Sequence, residues 1–270
     1  MPSPFRIESH AEAAQRWESR IARLKRNGSS DALRVAARLI DCDVRSPCRS
    51  TACPLCMRRV RLHLLEVGVP TLERKSGCWS LSCVRPLGRV EIGALADFDV
   101  RNVSAAHRRD IASVLRPGDF SIGGLDVSLN VEPDGQSYWQ VHSHAVFGSD
   151  WDGPRKKPRN LRRGDGVRPL RLTKIADPSV VPEVLSYSMK SVFFRRSRYH
   201  YTRASGRKTT NTRSLPIPAK HEVELLVFLD AISIFDRLLL TGLRRTGSEF
   251  DFRLRPMRAK RNERMQGSSP

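Results

Sequence analysis

Tyr138-Trp139-Gln140-Val141-His142-Ser143-His144-Ala145-Val146-Phe147 is the stretch from which the rest of the chain can be read. It is rich in aromatic and β-branched residues, with Gly135 and Gly148 just outside it, a composition that reads as a strand. Side chains alternate along a strand, so His142 and His144 share a face. Two imidazoles side by side on a rigid strand make half of a divalent-metal site.

Upstream, Leu125, Val127, Leu129 and Val131 form one apolar face of a second alternating segment, and Asp126, Ser128 and Asn130 form the polar one. Pro133-Asp134-Gly135 reads as a turn, so the two segments are expected to form a hairpin with a carboxylate opposite the histidines. Asp126 is the best third ligand and Glu132 the weaker one. Downstream, Glu183-Val184-Leu185-Ser186-Tyr187-Ser188-Met189-Lys190 reads as a helix that places Glu183, Tyr187 and Lys190 on one face. A metal pair on a strand, with an acid, a phenol and an ammonium on a helix, looks like a DNA-nicking site.

The 270 residues carry a formal net charge of +20. That imbalance favours a polyanionic partner. No apolar run approaches the length that spans a bilayer, and the first residues lack a signal-peptide core. A soluble, cytoplasmic protein without a membrane partner is the expectation. Six cysteines in such a chain should be reduced, and clustered ones then point to metal. Cys53-Pro54-Leu55-Cys56 has zinc-knuckle spacing. Cys48 and Cys42 can complete a four-thiolate structural zinc site, with His63 as the alternative to Cys42. Arg58, Arg59 and Arg61 follow, so this module is expected to face a nucleic-acid backbone as well. Cys78 and Cys83 lie in a segment that reads as a strand, Cys78–Val84, and they read as core thiols.

Ser9 and Glu12 form a capping-box pattern for a helix ending at Gly28, and Ser29 or Ser30 caps a second helix. Ser104 is the expected cap of a helix that ends near Pro117-Gly118. The segment from Trp151 to Leu170 reads as a loop, whose Arg155, Lys156, Lys157, Arg159, Arg162, Arg163 and Arg168 are expected to clamp phosphates. The Tyr187 helix is expected to run on into Arg195, Arg196 and Arg198, which also face DNA, with Tyr199 and Tyr201 available to stack on bases. Ser205 to Pro218 reads as a basic linker, Ala219 to Leu243 as one long amphipathic helix, and the tail beyond Phe252 as disordered.

Four features taken in order, the cysteine knot, the strand Trp79-Ser80-Leu81-Ser82, His142-x-His144 and Glu183-x-x-x-Tyr187-x-x-Lys190, resemble the replication initiators of rolling-circle plasmids. These belong to the HUH-endonuclease superfamily, here of the single-tyrosine type, since Ser191 stands where a second tyrosine would be. The resemblance implies an α+β fold: a central antiparallel β-sheet of ferredoxin/RRM-like form with helices on one face. It implies magnesium or manganese held by His142, His144 and an acid, beside structural zinc. Tyr187 would attack origin DNA to give a 5′-phosphotyrosyl link and a 3′-hydroxyl primer, Lys190 would assist, and Glu183 would activate water to end the round. Partners would be single-stranded and origin plasmid DNA and a host helicase. Three regions follow: residues 1–70 with N-terminal helices and the zinc module, 71–204 with the endonuclease core, and 205–270 with linker, helix and tail. A transposase or phage initiator of the same superfamily is the near alternative. A non-catalytic zinc-containing DNA-binding regulator, or a metal nuclease that uses water, are the others.

Overall fold

The computed structural model describes residues 5–151, 170–246 and 251–254. The basic segment from Arg155 to Arg168, read above as a loop, and the residues beyond Leu254 lie outside them.

Strand β1 (Gly77–Glu91) pairs antiparallel with both neighbours, β3 (Ser137–Ser149) and β4 (Leu170–Ile175). On its other side β3 forms the expected hairpin with β2 (Phe120–Val131), and Gly135 in the turn takes φ 89°. A left-handed backbone there is why glycine occupies that position. The free edge of β2 is divided. Its first half pairs antiparallel with β7 (Leu238–Thr241), and its last three residues pair parallel with β5 (Phe194–Thr202). Strand β6 (Lys208–Pro216) completes the sheet as the antiparallel partner of β5. The fold is thus α+β with a mixed sheet, where a purely antiparallel one was expected. The reason is the parallel entry of β5 beside Leu129–Val131.

Helices cover both faces, not one. Odd-numbered Leu125, Val127 and Val141 share a core with α6 (Ala219–Ala231) and the N-terminal helices α1 (His10–Asn27) and α2 (Ser30–Ile40). Odd-numbered Ala145 and Phe147 meet Ile111 and Val114 of α4 (Val100–Val114). Even-numbered Ile122 and Val146 meet α3 (Pro54–Glu73) and α5 (Val181–Tyr187) on the opposite face. Both faces of the hairpin bear apolar residues along part of their length, and each must be covered.

The local signals at the N-terminus hold. Ser9 Oγ accepts from Glu12 N and the Glu12 carboxylate accepts from Ser9 N, while Gly28 ends α1 at φ 74°. Four expectations do not. Helix α4 is capped by Asp99, whose carboxylate accepts from Arg101 N and Asn102 N, and not by Ser104, which is buried within it. Helix α5 stops at Tyr187, where tight turns link Met189 N to Ser186 O and Lys190 N to Tyr187 O. The aromatic and arginine-rich residues after it form β5. The segment read as a linker is β6. The long C-terminal helix breaks at Ile232, and Ser233 and Asp236 form a capping box that starts α7 (Ile234–Arg237), followed directly by β7. A last hairpin pairs β8 (Leu243–Thr246) with β9 (Asp251–Leu254). Among the described residues no helix is long and apolar enough to cross a membrane.

Candidate functional site

The hairpin register sets Asp126 directly opposite His142, and His144 opposite Gly124 on β2 and Ser82 on β1. All these residues point to the face that carries α5. Asp126 Oδ2 lies 3.2 Å from His142 Nε2 and 3.9 Å from His144 Nε2. His142 Nδ1 is 3.0 Å from the Gln140 carbonyl oxygen. A carbonyl can only accept, so Nδ1 donates to it, which fixes the ring with Nε2 directed at Asp126.

The Nε2 atoms of both histidines are buried, and neither has a hydrogen-bond partner among the described residues. They converge with a carboxylate oxygen, all three ligand atoms lying within 4.8 Å of one another. Buried polar atoms left without partners are costly, and a cation among the three would engage them. Two imidazoles and one carboxylate suit a divalent ion that takes mixed nitrogen and oxygen ligands. Asp126 and His142 are at most 2 % exposed. Burial alone would raise the Asp126 pKa; the Lys190 ammonium, 2.6 Å from Oδ2, holds it below the ordinary carboxylate range. Burial, with His142 beside it, pushes the His144 pKa down to about 3, so its imidazole is neutral and able to ligate.

The sequence placed Lys190 on the helix with Tyr187. It stands instead in the turn just past α5, yet its Nζ reaches back to donate to the Tyr187 hydroxyl at 2.9 Å. The ammonium also lies over the Tyr187 ring, 4.2 Å from the centroid. The His144 ring meets the same tyrosine edge-on at 5.0 Å. Tyr187 remains 38 % exposed. Glu183 is exposed one helical turn before it. Asp126, not Glu132, is the acid in the cluster, because Glu132 accepts from the Tyr138 hydroxyl and pairs with Arg198.

The turn that carries Lys190 is held by residues that sequence reasoning missed. Arg237, 1 % exposed, donates to the carbonyl of Lys190 at 2.9 Å and to that of Leu125 at 3.1 Å. Arg20 donates to the carbonyl of Ser191. Arg61 donates to Ser186 Oγ at 3.1 Å and pairs with buried Glu8 at 2.6 Å. Arg61 was expected to face nucleic acid, but it is buried and structural. In so basic a chain nothing local separates an inward arginine from a DNA contact. Gly124 closes the site from below: a Cβ there would stand 2.3 Å from Met189 Sδ and 2.6 Å from the Ser188 carbonyl oxygen. The strand has to be bare at that point for the Lys190 turn to lie on it.

A second cluster lies in the N-terminal region. Cys42 follows α2, Cys48 lies in the loop, Cys53 caps α3 and Cys56 sits in its first turn. The Sγ atoms of Cys42 and Cys56 are 3.5 Å apart, those of Cys48 and Cys56 3.6 Å, and those of Cys53 and Cys42 3.6 Å. Tetrahedral thiolates at zinc-sulfur distances of about 2.3 Å would stand roughly 3.8 Å from one another, close to these separations. Cys42 therefore completes the set, and His63, 3.5 Å from Glu66, does not. Hydrogen bonds from Cys48 and Cys53 pull the Cys56 pKa down to about 4. This four-cysteine cluster can bind a metal such as zinc. Cys83 is fully buried and Cys78 partly so, as core thiols should be.

Comparison with family models, curated proteins and solved structures finds no match. The chain's own geometry is what carries a functional reading.

Proposed function

We propose that this protein is a rolling-circle replication initiator that nicks one strand of plasmid origin DNA through Tyr187. The single observation that carries the reading is the contact chain from the cluster of Asp126, His142 and His144 through Lys190 to the hydroxyl of Tyr187, a residue that is partly exposed. A core tyrosine would have no reason to be both exposed and joined to a convergent set of metal ligands.

Asp126, His142 and His144 would hold magnesium or manganese, which when bound neutralises charge on the nonbridging phosphate oxygens. The Tyr187 oxygen attacks phosphorus, forms the 5′-phosphotyrosyl bond and releases the 3′-hydroxyl as a primer. A phenol is a weak nucleophile at neutral pH, and the Lys190 ammonium stabilises the phenolate as it forms. His144, edge-on against the ring, fixes its orientation. Glu183 is one turn from Tyr187, so the two can reach one phosphorus in succession, and the carboxylate can deprotonate a water that ends the round. Structural zinc in the four-cysteine cluster would fix the start of α3. Arg195, Arg196 and Arg198 on β5 would contact the DNA backbone.

The test is covalent trapping on a single-stranded origin oligonucleotide in magnesium or manganese, with mass spectrometry of the peptide left on the DNA. An adduct on Tyr187, lost in Tyr187→Phe, is the expected result. An adduct on Tyr199 or Tyr201 would move the nucleophile. Nicking with no adduct would favour a nuclease that uses water.

A further inference from the structure

The cleavage reading asks only for backbone contacts by Arg195, Arg196 and Arg198 of β5 and gives the rest of hairpin β5–β6 no role. Its strands pair over nine residues, Phe194–Thr202 with Lys208–Pro216, but only Arg195, Arg196 and Ser197 are anchored to β2. The five pairs from Arg198 to Thr202 run past the end of β2, an overhang of about 17 Å at the usual rise per strand residue. Seven lysines or arginines and no acid lie between Phe194 and Pro216. An outer strand with an edge unpaired among the described residues invites pairing with other chains, and this one is kept polar by threonine, asparagine and positive charge.

The two faces of the ribbon differ. Tyr199 and Tyr201 lie together on one, with their ring centroids 6.2 Å apart. Arg198, His200, Thr210 and Thr212 lie on the other, where His200 Nδ1 and Thr210 Oγ1 are 3.2 Å apart. Since Asn130 pairs with Arg196, this second face continues the face that bears Asp126 and the histidines. The root of the ribbon is four residues along β2 from Asp126, about 13 Å at the strand rise, and the ribbon projects further in the same direction.

We propose that β5–β6 is a two-stranded ribbon that enters the major groove of duplex DNA and reads sequence beside the cleavage site. A major groove about 12 Å wide and 8.5 Å deep admits such a ribbon, and the overhang exceeds that depth. Positive charge at the root and turn neutralises the flanking phosphates. Thr210, Thr212 and His200 present donors and acceptors to base edges. At 3.4 Å per base pair, the sequence read lies within about ten pairs of the nick. This placement rests on the cleavage reading; the ribbon's duplex specificity can be tested apart from it.

The probe is a randomised 20-base-pair duplex library, selected on the full chain and sequenced. Wild type is expected to enrich one short motif. His200→Ala/Thr210→Ala/Thr212→Ala, which changes exposed side chains only, is expected to lose preference at a few positions by about tenfold for each contact removed. Recovery of the same motif with unchanged preference by this variant would overturn the proposal. Retention of single strands with no duplex enriched by wild type would also overturn it. A Tyr187 adduct on a single-stranded oligonucleotide without duplex selection would remove the ribbon assignment and spare the cleavage reading. Duplex selection without an adduct would do the reverse.

Discussion

The Nζ of Lys190 and the hydroxyl of Tyr187 are 2.9 Å apart. The same ammonium is the only protein cation in contact with Asp126 Oδ2 among the described residues, at 2.6 Å. One charge thus has two duties, and they can be separated. Lys190→Met should lower nicking by roughly 10²–10³-fold, the usual cost of losing a donor aimed at developing negative charge. It should also cost about 3–5 kcal/mol of stability, because the buried carboxylate loses its ammonium partner and keeps only the Val127 N–H. Manganese should then raise the melting temperature of Lys190→Met more than that of wild type. Equal shifts in thermal denaturation would show that no ion binds at Asp126.

Glu183 is expected to matter late in the reaction. Glu183→Ala should still form the Tyr187 adduct at the first nick. It should fail to release cleanly, leaving products longer than one plasmid unit on a gel of replication intermediates. Loss of the first nick in this variant would place Glu183 in initiation instead.

The cluster of Cys42, Cys48, Cys53 and Cys56 should carry about one zinc per chain by atomic emission, the stoichiometry of a closed four-ligand site. Cys56→Ser should lower that occupancy and the melting temperature together, as the first turn of α3 loses its clamp. Free alkylation of Cys48, Cys53 and Cys56 in the folded protein would refute the site.

His107 predicts an acid-sensitive stability. It is fully buried on α4, and neither ring nitrogen has a hydrogen-bond partner among the described residues. Burial, then the nearby His142 and Arg85, push its pKa down to about 4. Unfolded, it would titrate near 6.5. Above that pH the imidazole is neutral in both states and contributes nothing to the pH dependence. As pH falls below it, the unfolded chain takes up a proton that the native one refuses, so stability drops. From pH 8 to pH 5 the loss should be about 2 kcal/mol. His107→Leu should reduce the loss between the two pH values by about that amount, leaving the share that His144 contributes in the same way, as measured by urea denaturation.

What was legible in the sequence was what a few neighbouring residues decide. The Ser9–Glu12 box and Gly28 are local rules of backbone satisfaction, and they set the bounds of α1. Alternation along β2 and β3, with the Gly135 turn between, was enough to bring Asp126 to the histidines. The pattern Phe194 to Thr202 misleads because arginines and tyrosines carry no apolar period. Its strand state depends on three residues of β2 that lie more than sixty positions away. The apolar run from Ala219 to Leu243 hid a break, although Ser233 and Asp236 are a capping pair visible in the sequence. The choice between Cys42 and His63 could not be made from spacing alone, since α2 and α3 have to meet before one of them is excluded.

Helix α3 begins in the thiolate cluster at Cys53 and Cys56, and a Cβ on its Gly68 would stand 2.8 Å from Leu185 of α5. From Cys56 to Gly68 is about 18 Å of helix. That length makes α3 a lever whose pivot is the cysteine cluster and whose far end rests against the helix bearing Tyr187. A tilt of 5° at the pivot would shift the far end by about 1.5 Å over that helical length. Fastening the cysteines therefore sets the position of the helix that bears Tyr187, and if Tyr187 is the nucleophile proposed above, any agent that loosens the fastening would misalign a group it never touches.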